Sequence, residues 1–313
     1  MDTPAAHDGP LTTLWNELLK PLHAGLTLLP DKPEETAENT LKALWLKADG
    51  VSASATKAES SALTMLREEN IRTLHGLIQK RLSGIPLAHL TERQHFMGLE
   101  MLAGPEALVP RHETELLGHA ALAKALELAQ TTQPLTIIDI CTGSGNIALG
   151  IAAHLQQQHI NAQTFAADLS EDAVALARRN AQALALEGCV EFRAGNLLAP
   201  FDSENFIGKV DLLTCNPPYI NQTKVELMPT EIAAHEPRLA FDGGPFGVSI
   251  LMRLLEDAPR YLKPNGWLVF EVGLGQGPSL IKRMERDDLF QQVLPVYDKA
   301  QAIRVICARR SEK

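Results

Sequence analysis

A chain of 313 residues is long for one ordinary domain and suited to two, and with 45% hydrophobic residues it has ample material for a sizeable core. Its formal net charge of −9 would repel a phosphate backbone, which counts against nucleic acid as the main partner and leaves room only for a local basic patch. No run approaches the roughly 18 apolar residues that span a bilayer, and "MDTPAAHDGP" lacks the basic-then-apolar order of a signal peptide, so a soluble, cytoplasmic protein with no membrane partner is expected.

Residues 1–86 read as a small helical domain. Leu11–Leu29 and Glu34–Lys47 suit two helices separated by "PDKP". In "SALTMLREENIRTLHGLIQKRLSG" the residues Leu63, Leu66, Ile71, Leu74, Leu77, Ile78 and Leu82 recur at helical spacing until Gly84 and Pro86 end the run. Residues 87–112 read as a connector, because "RQHFMGLEMLAG" breaks short apolar runs with Gly98 and Gly104, as a hairpin does.

Residues 113–313 change character. "ETELLGHAALAKALELAQ" is a helix with acids in its first turn, where they complement the dipole. Short apolar runs then alternate with helical patterns: "LTIIDI", "TFAAD", "CVEFRA", "VDLLTC" and "GWLVFEVG". Such alternation predicts an α/β fold, a parallel sheet with helices on both faces. The tail "FQQVLPVYDKAQAIRVICARR" holds two strand-like runs with no helix between them, so the doubly wound sheet is expected to close with an antiparallel hairpin. The four cysteines, Cys141, Cys189, Cys215 and Cys307, form no close pair, which argues for buried free thiols rather than a zinc spacing or a disulfide framework.

Three segments at strand ends carry chemistry. After the first strand of the sheet, "DICTGSGNIAL" has Gly143 and Gly145 for a tight turn and a close backbone approach, with Ala148 where a dinucleotide fingerprint has a third small residue. Such turns serve NAD, FAD and S-adenosylmethionine alike. Asp168, at the end of the second strand, stands where an acid can accept both ribose hydroxyls of any adenosine cofactor. Asp139, beside the loop, would repel a pyrophosphate and attract an ammonium or sulfonium, and S-adenosylmethionine carries both cations and no phosphate. The alternative for Asp139 is that it only orders the glycine loop; the cofactor reading uses both acids and is preferred. After the third strand, Asn196 could bond the adenine amino edge with Leu197 packed on the ring, or be an ordinary turn asparagine.

The fourth strand ends in "CNPPYI". Pro217 and Pro218 remove two N–H donors, so the Pro217 carbonyl can face a pocket, and Asn216 offers a side-chain oxygen as a second acceptor. Two acceptors can hold both hydrogens of one –NH₂ group and orient its lone pair, while Tyr219 supplies a flat face. A lone N-P-P-Y is more often a rigid turn. Its place on the same sheet edge as the glycine turn and Asp168 changes that weighing.

"VPRHETELL", "DICTGSGNIAL", "ADLSEDAVALARRNA", "NPPYI", "HEPRLAFDGGPFG" and "LKPNGWLVFEVGLGQG" resemble, in the same order, the HemK/PrmC-type protein-(glutamine-N5) methyltransferases. The resemblance runs from about Leu87 to the end. It implies a Rossmann-like class I methyltransferase sheet preceded by a helical substrate-recognition domain. It also implies that Cys141, Thr142, Gly143, Ser144 and Gly145 with Asp168 hold S-adenosylmethionine, that Asn216 to Tyr219 hold the glutamine, and that Arg111 and Glu115 shape the pocket floor. The target it implies is the Gly-Gly-Gln glutamine of a peptide chain release factor or a glutamine of a large-subunit ribosomal protein. "PRHETE" leans to the first and "CTGSG" to the second; Asn196 stands where the family usually has an acid, and His112 where the release-factor branch usually has proline. A nucleic-acid base, which also presents a planar –NH₂, is a rival that the acidic helical domain disfavours. The reaction would be in-line methyl transfer to a poorly nucleophilic amide nitrogen, with Asn216 and Pro217 accepting charge that grows on the –NH₂ and no metal required. Glu113, Glu115, His235 and Glu236 are bases by type only.

Overall fold

The computed structural model describes residues 9–220, 230–243 and 247–312. The chain divides into two compact units, Met1–His95 and Phe96–Lys313.

The first unit is helical: α1 (Pro10–Gly25), α2 (Ala37–Ala48), α3 (Ala55–Glu59), α4 (Glu68–Leu82) and α5 (Leu87–Thr91). Thr36 and Ser54 cap α2 and α3 by accepting from Asn39 and Lys57 N–H, which satisfies donors that a helix start leaves open. Leu22, Leu41, Leu44, Trp45, Leu74 and Ile78 form its buried core. Helix α4 starts at Glu68, later than the apolar periodicity suggests. The reason lies in Trp45, whose Nε1 donates to the Thr64 carbonyl (2.9 Å) and holds that stretch in a non-helical form while Leu63 and Leu66 still pack on the core.

The chain then runs through β1 (Arg93–Phe96) and β2 (Leu99–Leu102), turning at Met97 and Gly98, both at positive φ. In the second unit a one-turn 3-10 helix, His112–Thr114, leads into α6 (Glu115–Ala129). There follow β3 (Leu135–Ile140), α7 (Asn146–Gln157), β4 (Ala162–Asp168), α8 (Glu171–Ala183), β5 (Val190–Ala194) and β6 (Val210–Cys215). The remainder is α9 (Thr230–His235), α10 (Ser249–Tyr261), β7 (Leu262–Glu271), α11 (Gly277–Met284), β8 (Phe290–Tyr297) and β9 (Ile303–Arg310).

The seven-stranded sheet has the order β5-β4-β3-β6-β7-β9-β8. The pairs from β5 to β7 are parallel, and β9 pairs antiparallel with both β7 and β8, so the sheet closes with the expected hairpin. Successive strand residues face opposite layers. Ile137 and Leu212 belong to the core under α6 and α7, and Ile138 and Leu213 to the core under α10 and α11. Burial on both faces explains why these strands read as continuous apolar runs. Strand order reverses between β3 and β6, and open α/β sheets bind ligands in the crevice at such a point, beyond the strands' carboxyl ends.

Candidate active site

Three loops meet at that crevice. The first joins β3 to α7 and turns through positive φ at Cys141 (56°), Gly143 (53°) and Gly145 (81°). At Gly145 an added Cβ would lie 3.1 Å from both Ala177 Cβ and Phe192 Cε1, so the glycine allows both the left-handed turn and the close packing of α7. Asn180, fully buried on α8, donates to the Ser144 carbonyl (3.0 Å) and fixes the loop from behind. Sequence reasoning missed Asn180, because an asparagine inside a helix carries no sign of its partner.

Asp139 is fully buried, with one carboxylate oxygen accepting from Thr142 Oγ1 (2.6 Å) and the other from Thr214 Oγ1 (2.7 Å). Burial pushes its carboxyl up to about 7, against the two hydroxyl hydrogen bonds. Both oxygens thus serve the loop and β6, and Asp139 is not part of the cavity wall, so the geometry favours the loop-ordering reading over a cofactor contact. Asp168 does line the cavity. Its Oδ2 accepts from Gly143 N–H (2.8 Å) and its Oδ1 from Ser170 N–H (2.9 Å); burial raises its pKa and these backbone bonds oppose the rise.

The cavity holds about 1050 Å³ of space unfilled by protein atoms, its open mouth included. Cys141, Thr142, Gly143 and Ser144 form one wall, and Asn196 and Leu197, in the loop after β5, form another. Gly195 N–H donates to the Asp168 carbonyl (2.8 Å), which joins that loop to the acid. Asn196 is exposed and its carbonyl accepts from Ala199 N–H, so it is at once a turn residue and a cavity residue.

Asn216 and Pro218 face the same cavity from the end of β6. Asn216 Nδ2 donates to Thr114 Oγ1 (3.4 Å), which leaves the carboxamide oxygen to accept from a ligand. Pro217 is buried and, like Tyr219, is not part of the cavity wall; the flat Tyr219 face expected there is turned away, its hydroxyl donating to Glu271 Oε1 (2.9 Å) at the end of β7. Burial lifts the Tyr219 phenol well above its usual range. Ile220 N–H donates to the Phe241 carbonyl and Gly243 N–H to the Ile220 carbonyl (3.0 Å each), so Phe241 to Gly243 run beside the turn; Gly244, Pro245 and Phe246 of that motif lie outside the described residues. Gln276 Nε2 donates to the Tyr219 carbonyl (3.2 Å).

Arg111 reaches the cavity, but its guanidinium pairs with the buried Glu236 (2.6 Å), whose other oxygen accepts from Val109 N–H. "PRHETE" and "HEPRL" are joined by this pair. Glu115 accepts from Met97 N–H (2.7 Å) and is not part of the cavity wall. Glu113 makes a two-point ion pair with Arg304 (3.0 and 3.0 Å). Ion pairing of this kind explains why Glu113 and Glu236, bases by type, are structural here.

The residues present fit S-adenosylmethionine. Asp168 supplies an acceptor for hydroxyls, the start of α7 supplies backbone donors, and Ser144 Oγ, buried at the cavity wall, has no hydrogen-bond partner among the described residues.

Residues 132–287 match a family model described as a methyltransferase domain. A release factor glutamine methyltransferase of Geobacter sulfurreducens is 34% identical over 221 residues, 71% of this chain and 72% of that protein. One of Moorella thermoacetica is 37% identical over 222 residues, 70% and 74%. Among solved structures, the hMettl16 catalytic domain in complex with MAT2A 3'UTR hairpin 6 superposes with a TM-score of 0.52 at 16% identity, covering 80% of this chain and 84% of that one, a likeness of fold alone.

Proposed function

We propose, for a chain that belongs to the release factor glutamine methyltransferases, that its α/β unit transfers the methyl group of S-adenosylmethionine to the side-chain amide nitrogen of a protein glutamine, that of the Gly-Gly-Gln tripeptide in a peptide chain release factor. One observation carries the reading beyond kinship: Asn216, at the end of β6, and the glycine loop, at the end of β3, line one cavity at the point where strand order reverses.

When bound, S-adenosylmethionine supplies an electrophilic methyl group on a sulfonium. Asp168 accepts its ribose hydroxyls, the 141–145 loop and Ser144 cradle its polar end, and Asn196 and Leu197 flank its adenine. Asn216 Oδ1 and the Pro217 carbonyl accept the two hydrogens of the substrate amide, which aligns a nitrogen whose lone pair is otherwise delocalised. Both bonds strengthen as positive charge grows on that nitrogen, so fixed dipoles favour the transition state over the ground state. Holding the partners in a near-attack geometry can contribute roughly 7–11 kcal/mol. The proton released by the methylated amide passes to water.

The helical unit, Met1–His95, recognises the substrate protein, and a translation factor as substrate places the reaction in the cytoplasm. Purified release factor and large ribosomal subunits, each incubated with the enzyme and methyl-labelled S-adenosylmethionine, separate the readings. Label is expected on the release factor; label on a ribosomal protein alone would transfer the assignment to that substrate.

A further inference from the structure

Behind the Asn216–Tyr219 turn lies a polar cluster that the methyl-transfer scheme does not use. Glu271, at the last position of β7 and 2% exposed, accepts from the Tyr219 hydroxyl (2.9 Å). Arg304 of β9 lies 3.7 Å from the same carboxylate oxygen and donates to the Tyr219 oxygen (3.4 Å). Glu113, from the 3-10 turn, holds Arg304 from the far side through two bonds. Thr114, the next residue, accepts from the Asn216 amide (3.4 Å), while the second Glu271 oxygen, Oε2, has no hydrogen-bond partner among the described residues. The Tyr219 end of the N-P-P-Y turn is therefore bonded to this buried carboxylate, and the Asn216 end is held by the 3-10 turn whose Glu113 pairs with Arg304 beside it.

We infer that Glu271 is a positioning residue for methyl transfer: through Tyr219 and Arg304 it sets the orientation in which Asn216 and Pro217 present their oxygens to the substrate amide. The inference rests on the clamp reading of Asn216 and Pro217. A buried carboxylate does this better than a neutral group, because it accepts from the Tyr219 hydroxyl and balances Arg304 at once. A proton on its second oxygen, Oε2, which has no hydrogen-bond partner among the described residues, would leave Oε1 to Tyr219 but remove the charge that holds Arg304 beside that ring. The charged and titratable groups that face it are Tyr219 from the turn, Glu113 from the 3-10 turn and Arg304 from β9. Burial, reinforced by the Glu113 charge, pushes the Glu271 carboxyl up to about 7, so the oriented state is gained as pH rises through neutrality.

The test compares wild type, Glu271→Gln, Tyr219→Phe and the double variant. Each is assayed for kcat and KM with a Gly-Gly-Gln-containing release factor between pH 5.5 and 8.5, and for fold by thermal melting. Glu271→Gln keeps the shape and one acceptor while removing the charge. It is expected to lower kcat by about tenfold to a hundredfold, the loss of one hydrogen bond to a charged group expressed as a rate, with KM for S-adenosylmethionine unchanged. The wild-type rise in kcat through about pH 7 is expected to vanish in it. Tyr219→Phe is expected to add little to Glu271→Gln, because the two act through one bond. Wild-type kcat in Glu271→Gln, or an acid limb that persists there and belongs to Asp139 instead, would overturn the inference while the methyltransferase stands. A wild-type enzyme that leaves the release factor unlabelled would overturn both.

Discussion

Asn216 joins two roles, since its carboxamide nitrogen is held by Thr114 while the residue lines the cavity, which leaves its oxygen to accept from a ligand. Asn216→Ala is accordingly expected to bind S-adenosylmethionine as the wild type does, by calorimetry, and to lose methyl transfer by about a hundredfold or more, as loss of a preorganised transition-state contact does. Near-normal turnover would remove the carboxamide from the mechanism. Asp168 faces the cofactor side of the same cavity while accepting from the glycine loop. Asp168→Ala should weaken S-adenosylmethionine binding by about tenfold to a hundredfold, the value of a hydrogen bond to a charged acceptor; an unaltered dissociation constant would exclude it. At this scale the sequence was informative wherever backbone chemistry dictates residue type. Paired prolines and glycines announce a turn. It was uninformative about direction: nothing in "FAAD" or "IIDI" tells that Asp168 faces the cavity while Asp139 faces two hydroxyls, and nothing in "NPPY" tells that the Tyr219 hydroxyl turns back to Glu271.

At the scale of elements, the site is made by strand ends that the chain's order brings together. β3 and β6 are neighbours although two strand–helix passages separate them, and their parallel register sets Ile140 beside Cys215, so the glycine loop and the N-P-P-Y turn leave the sheet side by side. This adjacency was readable from the alternation of strand and helix patterns together with the motifs at the strand ends. The long-range ties were not readable. Arg111–Glu236, Asn180–Ser144 and Gln276–Tyr219 join residues remote in sequence, and only the folded chain shows that "PRHETE", "HEPRL" and "GLGQG" brace one crevice. The glycine loop gives a direct test of this packing. Gly145→Ala forces a side chain into a left-handed position against Ala177 and Phe192, and it should destabilise the α/β unit by about 1–3 kcal/mol in urea unfolding. An unchanged midpoint would show that α7 can move away without loss.

At the scale of the whole molecule, a class I methyltransferase sheet in one compact unit follows a separate helical unit in a chain of net charge −9. Such a balance suits a protein substrate better than a nucleic acid. Global stability should carry the mark of Asp139. Its folded-state carboxyl is raised above the unfolded value, so the native state holds a proton that the unfolded chain has released between about pH 4 and pH 7. Stability from this group is complete below pH 4 and is lost as pH rises through about 7. Denaturant titrations at pH 4.5 and pH 7.5 should therefore show a fall in wild type that is smaller by a few kcal/mol in Asp139→Asn; equal falls would show that Asp139 is ionised throughout. The central claim, that a carboxamide and a freed proline carbonyl grip the reacting amide opposite the alkylating agent, is tested most directly by a crystal structure with S-adenosylhomocysteine and a Gly-Gly-Gln peptide. The account predicts the glutamine nitrogen within hydrogen-bond distance of both Asn216 Oδ1 and the Pro217 oxygen, with the thioether sulfur facing it across the 141–145 loop. A glutamine bound elsewhere, or a sulfur facing away from Asn216, would contradict it.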